Sequence, residues 1–366
     1  MIKYLGSKRT LVPVLGRIAA AVEARTAVDL FTGTTRVAQE LKRRGLHVTA
    51  VDTATYSALL GECFISTDAR EVDTEALTAA LTDLEALPGV SGYFTETFCE
   101  TARFLQPKNG RRVDAIRTAI EERYAGSPLH PLLLTSLLLA ADRVDSTTGL
   151  QMAFLKEWAP RAHRDLALRA PVLLPGGGRT VWGDALRVVD DLPPADLVYL
   201  DPPYNQHRYV SNYHVWETLV RWDAPEHYGI ACKRVDVRDD ARLRSPFNSR
   251  AEAPGALADL LMRVRADVVV LSYNDESWVA PEQITRWLEE AGHEEVGVLS
   301  FDSKRYVGAQ IGIHSPTGEK VGTVSRLRNH EYVFVAGERD RVRAAVAGAV
   351  EDPLGQALAP TGTMRA

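Results

Sequence analysis

The 366 residues are 45% hydrophobic and 25% charged, with a formal net charge of −5. This suits a soluble globular protein of one large domain, or one domain with an insertion, and argues against a histone-like coat for nucleic acid while leaving room for a local basic cleft. Three cysteines, Cys63, Cys99 and Cys232, show neither Cys-x-x-Cys nor metal-ligand spacing, and no apolar run is long enough for a signal core or a bilayer span; unpaired thiols, no metal and a cytoplasmic protein without membrane contact are expected.

Met1 to Arg9 carries Lys3, Tyr4 and Lys8 around a Gly6-Ser7 turn, and Leu11, Val14, Leu15 and Ile18 follow at helical spacing up to Ala24. A turn that opens a helix presents free N–H groups, and the lysines beside it suit a carboxylate. Thr26 to Leu30 predicts a strand, Phe31-Thr32-Gly33-Thr34-Thr35 a turn, and Arg36 to Arg44 a helix closed by Gly45. His47 to Val51 predicts the next strand, ending on Asp52, 23 positions after Asp29. A glycine in the first turn of a βαβ unit and an acid at the tip of its second strand place a cofactor backbone near the turn and ribose hydroxyls on the acid. Only Gly33 stands in that turn, so a dinucleotide pyrophosphate fits poorly.

From Ser57 to about Pro175 the pattern is helical. Arg103, Lys108, Arg111, Arg112, Arg117 and Arg123 form a positive stretch near Tyr93, Phe94 and Phe104, with Asp114, Glu121 and Glu122 interspersed; it reads equally as a nucleic-acid contact and as a solvated helix face. Leu132 to Ala141 is apolar enough for a buried helix. The sheet pattern resumes with a strand at Thr180 to Trp182 and a helix opened by Asp184.

Asp196 to Tyr213 contains the stretch on which the chain is organised. Leu197 to Leu200 predicts a buried parallel strand, cut off by Pro202 and Pro203. Asp201 and Tyr204 are thereby fixed just past a strand's carboxyl end, where open α/β sheets bind ligands. The prolines lack N–H groups, which leaves nearby carbonyls free to accept from a substrate amine beside the Asp201 carboxylate, and Tyr204 offers a face for a base to stack on. His207, Arg208, Tyr209, Asn212, Tyr213, His214 and Trp216 follow closely and suggest a wall of a base-holding pocket. Lys233 to Arg250 is expected to be a loop, with six basic residues against three acidic ones, a second candidate for nucleic-acid phosphates beside the reading as a solvated loop. Ala256 to Arg265 and Pro281 to Ala291 predict helices, Val268 to Leu271 a strand, and Val296 to Phe301 with Glu331 to Val335 the closing strands. Ser303 to Arg328 reads as a basic loop, and Asp340 to Ala366 as a short helix and tail.

Asp201-Pro202-Pro203-Tyr204 resembles the catalytic motif of S-adenosylmethionine-dependent DNA amino-methyltransferases, and with Lys3-Tyr4-Leu5-Gly6-Ser7-Lys8 and Phe31-Thr32-Gly33 the setting is similar to the Dam-like DNA adenine methylase family. The resemblance implies an α/β fold: a Rossmann-like class I methyltransferase sheet from residues 1–60 and 176–340, interrupted by a mainly helical insertion, 61–175, that carries target recognition, with a C-terminal helix and tail over 341–366. It implies S-adenosylmethionine held by Tyr4, Lys8, Asp29, Phe31, Gly33, Thr34, Asp52, Asp184 and Asp201, with Asp184 facing the cofactor's adenine amine. Catalysis would fall to Asp201, Pro202, Pro203 and Tyr204, and DNA contact to Arg111, Arg112, His207, Arg208, Arg242 and Arg244. The implied activity is site-specific methylation of an exocyclic base amine in double-stranded DNA, by a monomer or weak dimer and alongside a separately acting restriction endonuclease. Aspartate at 201 favours adenine N6 over cytosine N4, whose enzymes usually carry Ser-Pro-Pro-Tyr, and over the Asn-Pro-Pro-Tyr of RNA and protein-glutamine methylation. A Pro-Cys nucleophile for cytosine C5 is absent. An inactive DNA-binding specificity subunit, the alternative of another class, would have lost the cofactor groups.

Overall fold

The computed structural model describes residues 2–4, 8–204, 209–239, 244–275, 277–304, 313–314, 320–322 and 328–350. Seven strands, β1 (Thr26–Asp29), β2 (His47–Asp52), β3 (Gly178–Trp182), β4 (Ala195–Leu200), β5 (Ala266–Asn274), β6 (Glu295–Lys304) and β7 (Arg328–Gly337), form one sheet in the order β3-β2-β1-β4-β5-β7-β6. β1 runs parallel to both neighbours, with Asp29 level with Ala50 on one side and Tyr199 on the other. β7 lies antiparallel to both β5 and β6, as expected for the closing pair. The order reverses between β1 and β4, so the crevice for a ligand opens beyond the carboxyl ends of these two strands.

Alternation along the strands divides the apolar residues between the faces. Ala27, Leu197, Tyr199, Val268, Val270, Val333 and Val335 pack with α1 (Val12–Ala21), α2 (Arg36–Arg43) and α3 (Thr55–Gly61). Val28, Val198, Leu200, Val269, Leu271 and Phe334 pack on the other face. The segment between β2 and β3 contributes α4 (Thr74–Glu85), α5 (Pro107–Tyr124) and α6 (His130–Arg143), and its Phe98, Ile116, Ile120, Leu133 and Leu137 belong to the same continuous core as α1 and β1.

Buried polar groups fasten this segment to the sheet. The Lys3 ammonium lies 2.8 Å from Asp142 and 3.2 Å from Asp145. The buried Arg117 donates to the carbonyls of Leu219 and Val220, each at 3.0 Å, where α7 (His214–Arg221) ends. Lys42, 2% exposed, donates to the carbonyls of Ile65 and Thr67 and so satisfies the end of a wide helical turn, Glu62–Ser66.

α8 (Ala253–Arg263) and α9 (Pro281–Glu290) cover the second face through Leu257, Leu260, Ile284 and Leu288. α10 (Arg339–Val350) returns to α1, where Gly348 lies so close that a Cβ would come within 2.7 Å of Ala21. All three cysteines are unpaired and buried, and among the described residues no helix is long and apolar enough to cross a membrane.

The segment expected to be one basic loop, Lys233 to Arg250, instead holds a short antiparallel ribbon (His227–Tyr228 with Lys233–Arg234), a helical turn (Val235–Asp239) and a 3-10 turn (Pro246–Asn248). Its Arg234 is 1% exposed and paired with Asp223 at 2.6 Å and Asp236 at 2.8 Å, so it is a structural anchor and not a phosphate contact.

Candidate cofactor and catalytic site

Asp29 ends β1 with its side chain buried; Oδ2 accepts from the Thr32 hydroxyl at 3.0 Å, and Oδ1 has no hydrogen-bond partner among the described residues. Burial pushes this carboxyl up to about 7, and the nearby Asp201 and Asp52 add to the effect. The following turn passes through the left-handed region twice, at Gly33 (φ +50°) and Thr35 (φ +61°). At Gly33 a side chain is doubly disfavoured, because a Cβ would also press within 3.2 Å of the Tyr4 ring. The turn is held from β2: Asp52 accepts from the Gly33 N–H at 2.8 Å and from the Ala54 N–H at 2.9 Å. Asp52 is held above the usual carboxylate range by burial.

Tyr4, Phe31, Gly33, Asp52, Asp184 and Asp201 line one cleft, together with Pro203; its volume is about 840 Å³, solvent at the mouth included. Asp184 also caps its own helix, accepting from the Leu186 N–H at 2.8 Å. Leu30, Ala54, Val210, Phe247 and Asn248 are among the other lining residues and were not foreseen. Phe247 meets Phe31 edge-on at 5.3 Å, and nothing in its local pattern, one aromatic after Pro246, distinguishes it from any other loop phenylalanine. Thr34 is buried beneath the turn.

Asp201 follows β4 directly. One of its oxygens lies 3.0 Å from the Lys8 ammonium, which also binds Glu331 on β7. Lys8, expected on the cofactor, is thus placed between two carboxylates. Burial pushes Asp201 up to about 6; Lys8 draws it back down and Glu331 pushes it further up. The Tyr204 ring lies 5.7 Å from the Lys8 ammonium and edge-on to Tyr273 at 6.0 Å. Pro202 is buried beside them.

Three parts of the expected DNA-facing surface are corrected. Tyr213, His214 and Trp216 are buried and form no pocket wall; Tyr213 stacks on Tyr4 at 4.7 Å, and His214, 2.9 Å from the Gln151 carbonyl, is lowered to about 3 by burial. Arg112 donates inward to the carbonyls of Glu85, at 2.7 Å, and Leu87, ending α4 instead of reaching outward. In the basic segment, Arg238 pairs with Asp239 at 2.6 Å. Arg111 and Arg244 are exposed. His207, Arg208 and Arg242, the Gly6-Ser7 turn, most of the basic 303–328 stretch and the tail beyond 350 lie outside the described residues.

Strand order, switch-point cleft and acid-tipped strands define a Rossmann-like class I methyltransferase fold. The chain belongs to the D12 class N6 adenine-specific DNA methyltransferase family, whose profile matches residues 4–282. It is 28% identical over 306 residues to the modification methylase StsI of Streptococcus sanguinis, covering 79% of this chain and 46% of that protein. It is 28% identical over 304 residues to the type II methyltransferase M.NlaIII of Neisseria lactamica, covering 79% and 88%, and 26% identical over 314 residues to M.FokI of Planomicrobium okeanokoites, covering 79% and 47%. The chain therefore spans about half the length of StsI and M.FokI and most of M.NlaIII.

Proposed function

We propose that this chain methylates the exocyclic N6 amine of adenine in double-stranded DNA, with S-adenosylmethionine as donor. The observation that carries the reading is Asp201, a carboxylate acceptor fixed by two prolines at the switch point, with Tyr204 beside it and an acceptor-lined cleft adjoining it. That cleft suits the cofactor: Asp52, Asp184 and Asp201 favour a ligand with positive charge, hydroxyls and a ring amine, and would repel a pyrophosphate, while Phe31, Leu30 and Phe247 supply apolar cover. The buried, partnerless oxygen of Asp29 adds negative potential beneath it. When bound, S-adenosylmethionine supplies an electrophilic methyl group.

A target base has to leave the stack to reach this site. Tyr204 then offers it a face, and the Asp201 carboxylate with the Pro202 carbonyl accepts hydrogen bonds from its amine. Those bonds draw the nitrogen lone pair out of conjugation and stabilise the positive charge that grows on nitrogen, a preorganised electrostatic contribution that needs no covalent intermediate on the protein. The proton lost from the amine leaves by way of Asp201.

Residues 61–175 are the proposed carriers of sequence recognition, beside a catalytic part formed by 1–60 and 176–340. A cytoplasmic monomer or weak dimer, with a separate restriction endonuclease as partner, completes the reading. Cytosine N4 poses the same chemical problem, and aspartate at 201 favours adenine. Lys8, Asp52, Asp184 and Asp201, brought together around one site, argue against an inactive specificity subunit. The test is modification-sensitive sequencing of DNA from a methylation-free host expressing the chain or its Asp201→Ala variant. N6-methyladenine at one motif, absent with the variant, is expected; N4-methylcytosine or unmodified DNA from the parent chain refutes the reading.

A further inference from the structure

Glu331 lies on β7 opposite Asn274, beyond the 4–282 span matched by the family profile, and nothing in the local sequence marks it. It is 9% exposed, and its carboxylate binds the Lys8 ammonium, itself 7% exposed, whose other ionic contact is Asp201 at 3.0 Å. We propose that Glu331 is a positioning residue that fixes the Lys8 ammonium against Asp201 and shares its charge. The proposal rests on Asp201 being the group that accepts the target amine.

An ammonium on a four-carbon stem is flexible, and a single carboxylate would not prevent Lys8 from swinging to either oxygen of Asp201. A second carboxylate from another strand holds it on one side. It also divides the positive charge: a Lys8 wholly committed to Asp201 would leave that carboxylate a weak acceptor, whereas a Lys8 shared with Glu331 leaves Asp201 basic enough to draw on an amine. The charged and titratable groups facing Asp201 are Lys8, Glu331, Asp29, Tyr199 and Tyr204. Among them Glu331 is the anion in direct contact with the Lys8 ammonium.

The experiment measures pH profiles of kcat and KM for DNA methylation by the full chain. E331Q is expected to lower kcat about tenfold, since a looser Lys8 leaves the Asp201 acceptor less well oriented, with KM for cofactor and DNA nearly unchanged and the acidic limb moved to lower pH. In a K8M background, adding E331Q is expected to change kcat no further, because the effect travels through Lys8. Wild-type kcat with an unmoved acidic limb in E331Q, or additive losses in the double variant, overturns the proposal. Should E331Q not fold, E331D carries the test: with the charge kept on a shorter side chain, kcat falls and the limb stays, and a wild-type kcat overturns it. Absence of methylation by the parent chain refutes the function itself and is read from the same assay.

Discussion

Replacing Asp29 by Asn is expected to stabilise the free protein while weakening its hold on the cofactor. The carboxyl is buried, with one oxygen partnerless, and is raised from 3.8 to about 7. A folded-state value above the unfolded one means the native state binds the extra proton, so stability is lost as pH rises through this window and the loss levels off above about 7. At about 1.4 kcal/mol per unit, a shift of roughly three units corresponds to about 4 kcal/mol at pH 8, an upper bound because the amide also leaves one polar atom unpaired. Asn keeps an acceptor for the Thr32 hydroxyl and carries no charge. If half the stabilisation is realised, Tm should rise by about 2–3 °C at pH 8 for a chain of 366 residues and by much less at pH 5, where the wild-type carboxyl is largely protonated. In calorimetric titration the same substitution should weaken S-adenosylmethionine binding, since a cationic ligand loses an anion beneath it. Thermal melts at both pH values, with and without cofactor, decide the matter. A variant no more stable than wild type at pH 8, or equally stabilised at pH 5, refutes the reasoning.

Lys8→Met should move the acidic limb of methylation upward from about 6, because the cation that favours the Asp201 carboxylate is gone; about tenfold of activity is lost at pH 7 and largely regained by pH 9, and a profile that stays in place contradicts the ion pair. Arg234→Met removes the buried one of the two arginines that Asp223 and Asp236 share, leaving Arg221, and should cost about 1–3 kcal/mol in denaturant titrations, while the salt slope of DNA binding stays as it was. Arg111→Ala should lower the magnitude of that slope by about 0.9 if this exposed residue meets a phosphate. Arg112→Ala should lower stability and leave the slope alone, and fluorescence anisotropy at several salt concentrations separates the two.

The strands were legible because short apolar runs such as Leu197–Leu200 and Val268–Leu271, bounded by Pro or Asp, leave few readings, and because the acids at 29, 52, 184 and 201 each end or follow a strand or open a helix; their order in the sheet was not. What the sequence hid was the fate of charge. Arg111 and Arg112 are adjacent and alike in composition, yet α5 turns one outward and the other onto the carbonyls that end α4. A run of basic residues between 233 and 250 counts as positive on paper; folded, two of its arginines are spent on aspartates within reach. Glu331 escaped notice for the opposite reason: its partner is 323 residues away, and only the antiparallel return of β7 beside β5 brings them together.

The unbroken core that joins the helical segment of β2–β3 to the sheet bears on how such a protein can change its target. A recognition part with its own core could be exchanged whole between relatives, like a tool head on a shaft. Here Phe98, Ile116 and Leu137 belong to one core with α1 and β1, and Arg117 terminates a helix that follows Asp201-Pro202-Pro203-Tyr204 in the chain. Grafting a foreign segment between β2 and β3 would uncover the faces of α3 and α7 against which α6 packs. If residues 61–175 carry recognition as proposed, new specificity is expected to arise by substitution on the segment's outer surface, in small steps that keep the shared interior, and chimaeras joined at residues 61 and 175 should be recovered as insoluble protein unless the inward-facing positions are carried over from the parent.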